Sequence, residues 1–266
     1  MLEPEKLNPK NCATISIDCL NTFMKADGNL SISAFQHNVK GLDQSKVQAE
    51  IDASAKRMGE LRRFLFEQKV PQIQFQDAHV IESIHGCRFH SSEIVREGQE
   101  PDFIRTFPAH ALLDEKRRFG TPDQQAIEEI ALPTQKIFIH WFHSDMPQEA
   151  TLEAGKELIF MKDDFCMTPG SPFIHRLFWE LRRQGRFSLI ILGVCDEICN
   201  LRNVLLMLSA IFNVIYVKDC TFPLDAEKRD PAIDYMQEFN PFGEGKTGKF
   251  LSIDSVDFIN CFGRSS

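Results

Sequence analysis

The chain has 266 residues, of which 43% are hydrophobic and 26% are charged. This length suffices for one large domain or two small ones, and the apolar fraction supplies enough side chains for a buried core. The formal net charge of −8 offers no general attraction to phosphate backbones or anionic lipids, which argues against nucleic acid as a partner. The most apolar stretch, 204–217, contains Ser209 and Asn213 and is shorter than the about 20 residues that a membrane helix needs, so no membrane partner is expected.

The N-terminal segment and the cysteines indicate the compartment. Charged residues and two prolines precede any apolar run, unlike a cleaved secretory signal, and we therefore expect a cytoplasmic protein. The eight cysteines form no CxxC pair and no disulfide framework of the kind that a small secreted domain uses. We interpret them as reduced and mostly buried thiols, with one exception that carries chemistry.

Strand and helix patterns alternate from the start of the chain. Residues 13–17 (ATISI) form a β-favouring run that ends at Asp18, and apolar residues then recur at helical spacing over 51–65. A second strand, in which Ile and Phe alternate with Gln, ends at Asp77. Both predicted strands therefore end at an aspartate.

The same alternation continues in the second half of the chain. The pattern predicts a strand at 188–192 that stops at Gly193, a buried helix at 197–212, and further strands at 214–217 and 250–253. Strands that alternate with helices are typical of a parallel α/β sandwich, whose site lies at the carboxyl edge of the sheet.

Three polar residues are predicted to meet at that edge: Asp18, Lys162 and Cys199, the last in the turn GVCDEIC. A cysteine in the first turn of a helix gains from the helix dipole, and a nearby ammonium lowers its pKa further, so we expect a thiolate near neutral pH. A carboxylate can move the thiol proton. Asp196 and Glu197 oppose thiolate formation, and Lys162 must outweigh them. An aspartate at a strand end is also a common turn residue, so the trio alone leaves an ordinary turn open.

A second candidate site follows the second strand. Asp77, His79, His85 and His110 lie in one loop-rich region of a chain that has only eight histidines. One carboxylate and three imidazoles make a suitable ligand set for zinc, iron or manganese. His90 lies in the same stretch, so a chance gathering of surface histidines is the alternative.

These residues resemble a known family, the nicotinamidase and pyrazinamidase branch of the isochorismatase-like cysteine hydrolases. The resemblance runs through most of the chain. Four segments carry it: the opening motif at 17–32 (IDCLNTFMKADGNLSI), a metal motif formed by Asp77, His79, His85 and 107–110 (FPAH), a lysine segment at 162–173, and a nucleophile turn at 193–199 (GVCDEIC).

The resemblance implies a three-layer α/β/α sandwich with a central, mostly parallel sheet. It also implies a catalytic triad and one divalent metal ion, with zinc favoured and iron or manganese open. The implied triad is Asp18, Lys162 and Cys199, and the implied metal ligands are Asp77, His79, His85 and His110.

Further roles come from the same resemblance. Phe23 and Phe107 would flank an aromatic substrate. A cis peptide between Val194 and Cys195 would aim the backbone N–H groups of Cys195 and Cys199 at an oxyanion. Such non-proline cis bonds occur chiefly at functional sites.

The chain departs from the compact members of the family in length. We expect a single domain over 1–266, with an insertion around 111–156 and an extended C-terminal segment at 220–266. The insertion holds the aromatic run KIFIHWFHSD. It could reshape the pocket, act as a lid, form an oligomer contact, or be a surface addition whose aromatic side chains pack on the core.

Together these features predict a metal-dependent cysteine amidohydrolase that converts nicotinamide to nicotinate and ammonia. The expected partner is a small amide substrate, and a homo-oligomer stays open. Two alternatives remain: a sister hydrolase that acts on another small amide or enol ether, and a catalytically silent scaffold. The intact triad argues against the scaffold.

Overall fold

The computed structural model describes residues 7–79, 91–103, 105–113, 120–140, 151–153, 155–165, 167, 172–240 and 247–262. Across these residues, parallel strands alternate with helices, as the sequence pattern predicts. The strands are β1 (Cys12–Ile17), β2 (Gln72–Asp77), β3 (Gln135–His140), β4 (Lys156–Lys162), β5 (Ser188–Val194), β6 (Asn213–Phe222) and β7 (Phe250–Ile253).

The helices connect or follow these strands, together with three short helical turns. The helices are α1 (Asn21–Met24), α2 (Ile32–Lys40), α3 (Gln44–Glu67), α4 (Pro172–Arg183), α5 (Leu201–Ser209), α6 (Arg229–Glu238) and α7 (Ser255–Cys261). Two turns are of the 3₁₀ type, Glu128–Ile130 and Ala226–Lys228, and Asp196–Asn200 is a π-helical turn. None of the helices in the described part of the chain has both the length and the hydropathy needed to traverse a bilayer.

Helix α3 shows how local sequence builds the layers. The Asp43 side chain accepts hydrogen bonds from the backbone N–H groups of Ser45 (3.0 Å) and Lys46 (3.3 Å), which satisfies donors that the first turn leaves free. An apolar stripe along one face of the helix is then buried in the core. The stripe consists of Ile51, Ala55, Met58, Leu61 and Leu65.

The seven strands form one sheet in the order β3-β4-β2-β1-β5-β6-β7, and every strand pair in it is parallel. The chain begins at the middle with β1, fills one side with β2 to β4, and then crosses over to add β5, β6 and β7 on the other side. The pair β1–β5 is therefore the topological switch point, and ligands of open parallel sheets bind beside such a point, at the carboxyl ends of the strands.

The helices cover both faces of the sheet. Right-handed crossovers place α3, which leads from β1 to β2, on the face opposite to α4, α5 and α6, whose connections run the other way. Contacts of α7 with α3 and of α6 with α5 agree with this arrangement. The protein is thus a three-layer α/β/α sandwich, as expected.

Every predicted strand is present, and several predicted boundaries differ from the observed ones. Strand β5 continues two residues beyond 192, because Gly193 adopts a φ of +127° at an irregularity between β5 and β6. A Cβ atom at this position would lie 1.9 Å from the Ile17 carbonyl oxygen, so only glycine fits. Strand β6 likewise extends to Phe222, past the predicted range of 214–217. The predicted helix 197–212 is instead a π-helical turn followed by α5.

Both regions that looked longer than in the compact family members contribute to the sheet. Residues of the aromatic run form β3, which pairs with β4 at one edge, while residues 141–150 lie outside the described part of the chain. At the other edge, β7 pairs with β6, and α7 packs against β6. These residues therefore extend the core.

A buried ion pair ties α3 to the sheet. The Arg62 guanidinium, with no exposed surface, binds the fully buried Glu157 carboxylate of β4 and donates to the Ile130 carbonyl oxygen (2.7 Å). Gln74 of β2 and Thr134 also donate to Glu157, at 2.8 and 3.2 Å. Each of these two buried charges is thus compensated by the other.

We predict that Arg62→Met destabilises the protein by about 3–5 kcal/mol, because it leaves Glu157 buried without a counterion. Urea unfolding monitored by circular dichroism measures this loss. Arg63→Met is the matched control, since Arg63 is exposed and makes one 3.3 Å bond to a carbonyl oxygen. Equal unfolding free energies for the two variants would contradict the structural role of the pair.

Candidate active site

A buried cluster of three charges lies at the carboxyl edge of the sheet. In the register of β2 and β4, Asp77 is directly opposite Lys162, and Asp18 follows β1 in the next strand. The Lys162 ammonium binds a carboxylate oxygen of Asp77 and lies 2.8 Å from Oδ2 of Asp18. The backbone N–H of Asp77 donates to Oδ1 of Asp18 (2.8 Å). Three neighbouring strands therefore supply one ammonium and two carboxylates.

The two carboxylates of this cluster differ in acidity. Burial raises the pKa of Asp18 to about 7, the charge of Asp77 acts in the same direction, and Lys162 opposes both effects. Burial also opposes ionisation of Asp77, but the charges of Lys162, His79 and His110 together outweigh it and hold the pKa of Asp77 below its ordinary value. Asp18 can therefore exchange a proton near neutral pH, whereas Asp77 stays ionised.

Cys199 lies across the switch point from Asp18. It is buried in the π-helical turn after β5, and its sulfur lies within 4.8 Å of a carboxylate oxygen of Asp18. The Val194–Cys195 peptide bond that precedes this turn is cis, as the resemblance implies. The structure thus brings the three predicted triad residues together.

The ionisation of Cys199 differs from the sequence prediction of a thiolate near neutral pH. Burial raises the pKa of the Cys199 thiol well above its ordinary value, and the charge of Lys162 only partly offsets this effect. The carboxylates of Asp18 and Asp77 raise the pKa further. The sequence prediction is wrong because it weighed the helix terminus and the lysine but not desolvation.

The two acidic residues near Cys199 in the sequence, Asp196 and Glu197, contact other parts of the chain. Asp196 accepts a hydrogen bond from the Tyr216 hydroxyl (2.5 Å) and lies 3.2 Å from Nε of Arg229. Glu197 accepts from the backbone N–H groups of Leu224 (3.2 Å) and Asp225 (2.6 Å). These two carboxylates therefore hold the nucleophile turn to β6 and to the loop that follows it.

Beside the charge cluster, four buried side chains could hold a metal ion. Each offers one nitrogen or oxygen atom, and these atoms all lie within 4.8 Å of one another. They are Asp77, His79, Glu93 and His110. Three of them are predicted ligands, whereas His85, the fourth predicted ligand, lies outside the described residues.

The chemistry of this group fits a divalent metal. Nδ1 of His110 donates to the Pro108 carbonyl oxygen (2.7 Å), and burial lowers the pKa of His110 to about 4, so the imidazole is neutral with its Nε2 lone pair available. Among the described residues, neither Nε2 of His79 nor Oε1 of Glu93 has a hydrogen-bond partner, although both are buried. Buried polar atoms without partners are costly, and a bound cation would satisfy them.

Glu93 is the residue that sequence reasoning missed. It lies in a polar stretch without helical or strand periodicity, and only long-range pairing brings it to the site: the Phe107 N–H donates to the Glu93 carbonyl oxygen (2.7 Å), and Ile94 pairs with Phe107. Burial raises the pKa of Glu93 to about 10, and the nearby charge of Asp77 contributes. A nearby cation would stabilise the ionised form of a carboxyl group in such an environment.

An aromatic pocket opens next to both groups. It holds about 300 Å³ of empty space, a volume that includes the open solvent at its mouth. Phe23 and Phe107, the two predicted substrate contacts, both line it, together with Phe165, which packs edge-on against Phe107 (5.8 Å between ring centroids). Cys199 and His110 also line this pocket, so a ligand in it would reach the thiol and the candidate metal group.

Comparisons with known proteins agree with this architecture. By sequence, no protein-family model and no curated protein matches the chain. By structure, a nicotinamidase/pyrazinamidase of Acinetobacter baumanii is similar, with a TM-score of 0.59, 17% identity, and coverage of 94% of this chain and 98% of that one. A pyrazinamidase of Pyrococcus horikoshii in complex with zinc has a TM-score of 0.55 and 18% identity, over 91% and 99% of the two chains.

A third similar structure is an N-carbamoylsarcosine amidase of Thermoplasma acidophilum. Its TM-score is 0.54 at 14% identity, over 92% of this chain and 96% of that one. These similarities show that the chain has the fold of the isochorismatase-like hydrolases, as its motifs imply.

The raised pKa of Cys199 predicts slow alkylation at neutral pH. A thiol reacts as its thiolate, so the rate of modification by iodoacetamide should keep rising as the pH is raised into the alkaline range. Cys261, the one described free cysteine that is not buried, should react first. Peptide mapping by mass spectrometry measures both rates, with Cys261→Ser as the control. A Cys199 rate that levels off near neutral pH would contradict this assignment.

The position of Glu93 predicts a role in metal affinity. Glu93→Gln should weaken zinc binding at least about tenfold, since loss of even an outer-shell partner typically costs that much. Competition with a chromogenic chelator measures the affinity. Glu97→Gln, an exposed position four residues away, should have no effect. Unchanged affinity in the Glu93 variant would remove this residue from the metal site.

Proposed function

We propose that the protein is a metal-dependent cysteine amidohydrolase, and that its substrate is a small planar heteroaromatic amide, with nicotinamide as the best candidate. The reaction is hydrolysis of the carboxamide C–N bond, which yields a carboxylate and ammonia. The observation that carries this proposal is the meeting of Cys199, Asp18 and Lys162 at the switch point, with Cys199 on the wall of an aromatic pocket.

The first half of the reaction forms a thioester. Asp18 accepts the thiol proton of Cys199, and the sulfur attacks the carboxamide carbon. The backbone N–H groups of Cys195 and Cys199 stabilise the oxyanion of the tetrahedral intermediate. Asp18 then gives the proton to the departing nitrogen, so that the C–N bond breaks and ammonia leaves.

The second half hydrolyses the thioester. Asp18, again a carboxylate, takes a proton from water, and the resulting hydroxide attacks the thioester carbon. The C–S bond breaks, the acid is released, and Cys199 recovers its proton. Lys162 holds the Asp18 carboxylate in place through its 2.8 Å ion pair, and its charge keeps the developing thiolate accessible. An Asp18 pKa of about 7 suits a group that must both accept and donate a proton.

The candidate metal group is the reason to propose a substrate with a nitrogen atom in its ring. Asp77, His79, Glu93 and His110 would hold one divalent ion, for which zinc is the first choice. When bound, the ion supplies a Lewis-acid contact for the nitrogen lone pair of the ring, directly or through water. Phe23 and Phe107 would stack on the two faces of the ring. The zinc complex of the Pyrococcus horikoshii pyrazinamidase adds support.

A sister activity is the second candidate. The chain is about as similar in fold to an N-carbamoylsarcosine amidase as to a pyrazinamidase, with TM-scores of 0.54 and 0.55. A carbamoyl group is also an amide that a cysteine nucleophile can attack. The aromatic walls of the pocket favour a flat ring over an aliphatic carbamoyl compound.

Ammonia release from a panel of amides tests the proposal. We expect nicotinamide and pyrazinamide to be hydrolysed, and benzamide, which lacks the ring nitrogen, to react at least about tenfold more slowly, because an unmade polar contact discriminates strongly. Treatment with a chelator should narrow this difference. Cys199→Ala should abolish release, whereas Cys261→Ser should not alter it.

Equal rates on nicotinamide and benzamide would remove the metal group from substrate recognition. Release from N-carbamoylsarcosine alone would favour the sister activity. Full activity of the Cys199 variant would overturn the proposed nucleophile.

A further inference from the structure

His79 has its backbone held by neighbouring chain segments. Its N–H donates to the Ala111 carbonyl oxygen (3.0 Å), and its carbonyl oxygen accepts from the Leu113 N–H (2.9 Å). These bonds fix the position of the residue but leave the rotation and the tautomer of its ring undetermined. A contact to the ring itself must therefore determine which ring nitrogen of His79 faces Asp77 and Glu93.

Asp163 is placed to set the orientation and the tautomer of the His79 ring. Its Oδ1 atom lies 3.1 Å from Nδ1 of His79, on the side of the ring away from the candidate metal group. The Ser91 hydroxyl donates to the same carboxylate oxygen. Asp163 directly follows Lys162 at the end of β4, so one strand end carries both the cation of the charge cluster and this carboxylate.

The hydrogen-bond chemistry selects one tautomer. An ionised carboxylate only accepts, so Nδ1 of His79 must carry the proton that it donates. Nε2 then keeps its lone pair, and this atom lies 3.9 Å from Oδ2 of Asp77 and 3.8 Å from Oε2 of Glu93. A buried imidazole nitrogen with a lone pair, facing two carboxylates, is poorly placed without a cation between them.

We propose that Asp163, supported by Ser91, is a positioning residue that fixes the ring orientation and the Nδ1–H tautomer of His79, so that Nε2 is presented as a metal ligand. This inference rests on the proposed metal site. Carboxylates that accept from a ligating histidine set metal affinity in this way, and their loss typically weakens binding about 10–100-fold.

Zinc affinity of the purified protein tests the inference without any substrate. Asp163→Asn should weaken binding about 10–100-fold in a chelator competition. Glu97→Gln, at an exposed position, is the control and should leave the affinity unchanged. Ser91→Ala should weaken binding in the same direction, and Ser91→Thr, which keeps the hydroxyl, should restore it.

The tautomer itself gives a readout that a merely structural role would not move. In the metal-free protein labelled with ¹⁵N-histidine, long-range ¹H–¹⁵N spectra should show His79 protonated at Nδ1 in the wild type and a mixture of tautomers in Asp163→Asn. His79→Gln assigns the signal. Thermal unfolding of the metal-free variants should match the wild type.

The outcomes separate this inference from the proposed function. Equal zinc affinity of Asp163→Asn and the wild type, or a wild-type His79 protonated at Nε2, would overturn the positioning role while leaving the hydrolase proposal intact. If the wild type binds no metal, the proposed metal site fails, and with it the affinity argument.

Discussion

The site depends on one electrostatic constraint: a single buried ammonium lies between two buried carboxylates. Lys162 neutralises one negative charge, and Asp18 and Asp77 bring two. The excess charge must be met by a proton or by another cation, because isolated buried charges are strongly disfavoured. Of the two carboxylates, Asp18 takes up a proton more readily, because its pKa is raised to about 7. The raised pKa of Glu93, beside Asp77, likewise favours the neutral form of that carboxyl group. A metal ion between Asp77 and Glu93 would meet the same need.

The topology of the sheet explains why these groups meet. Strands β4, β2 and β1 are neighbours. Lys162 and Asp77 end β4 and β2, and Asp18 directly follows β1, so the parallel register aligns the three residues. The next strand, β5, lies across the switch point and delivers Cys199 on a π-helical turn. The residues proposed to transfer protons and to bind a metal thus lie on one side of the switch point and the proposed nucleophile on the other, and Asp77, His110 and Cys199 line the aromatic pocket.

Much of this arrangement could be predicted from the sequence. The strand ends at Asp18 and Asp77 follow from local β patterns, and the motifs indicate the fold and the triad. Burial could not be predicted, and it reverses the expected ionisation of Cys199. Glu93 and Asp163 reach the site through contacts between residues far apart in the sequence, and neither belongs to a periodic sequence pattern that would have predicted it. The insertion expected at 111–156 includes strand β3 of the sheet.

The central claim is that Cys199 forms a thioester during amide hydrolysis, and trapping that intermediate tests it most directly. The protein is mixed with nicotinamide, quenched in acid within the first turnovers, digested, and mapped by mass spectrometry. The account predicts a nicotinoyl group on the peptide that contains Cys199, and none in Cys199→Ala. Ammonia release without an acylated peptide, or acylation of Cys195 instead, would contradict it.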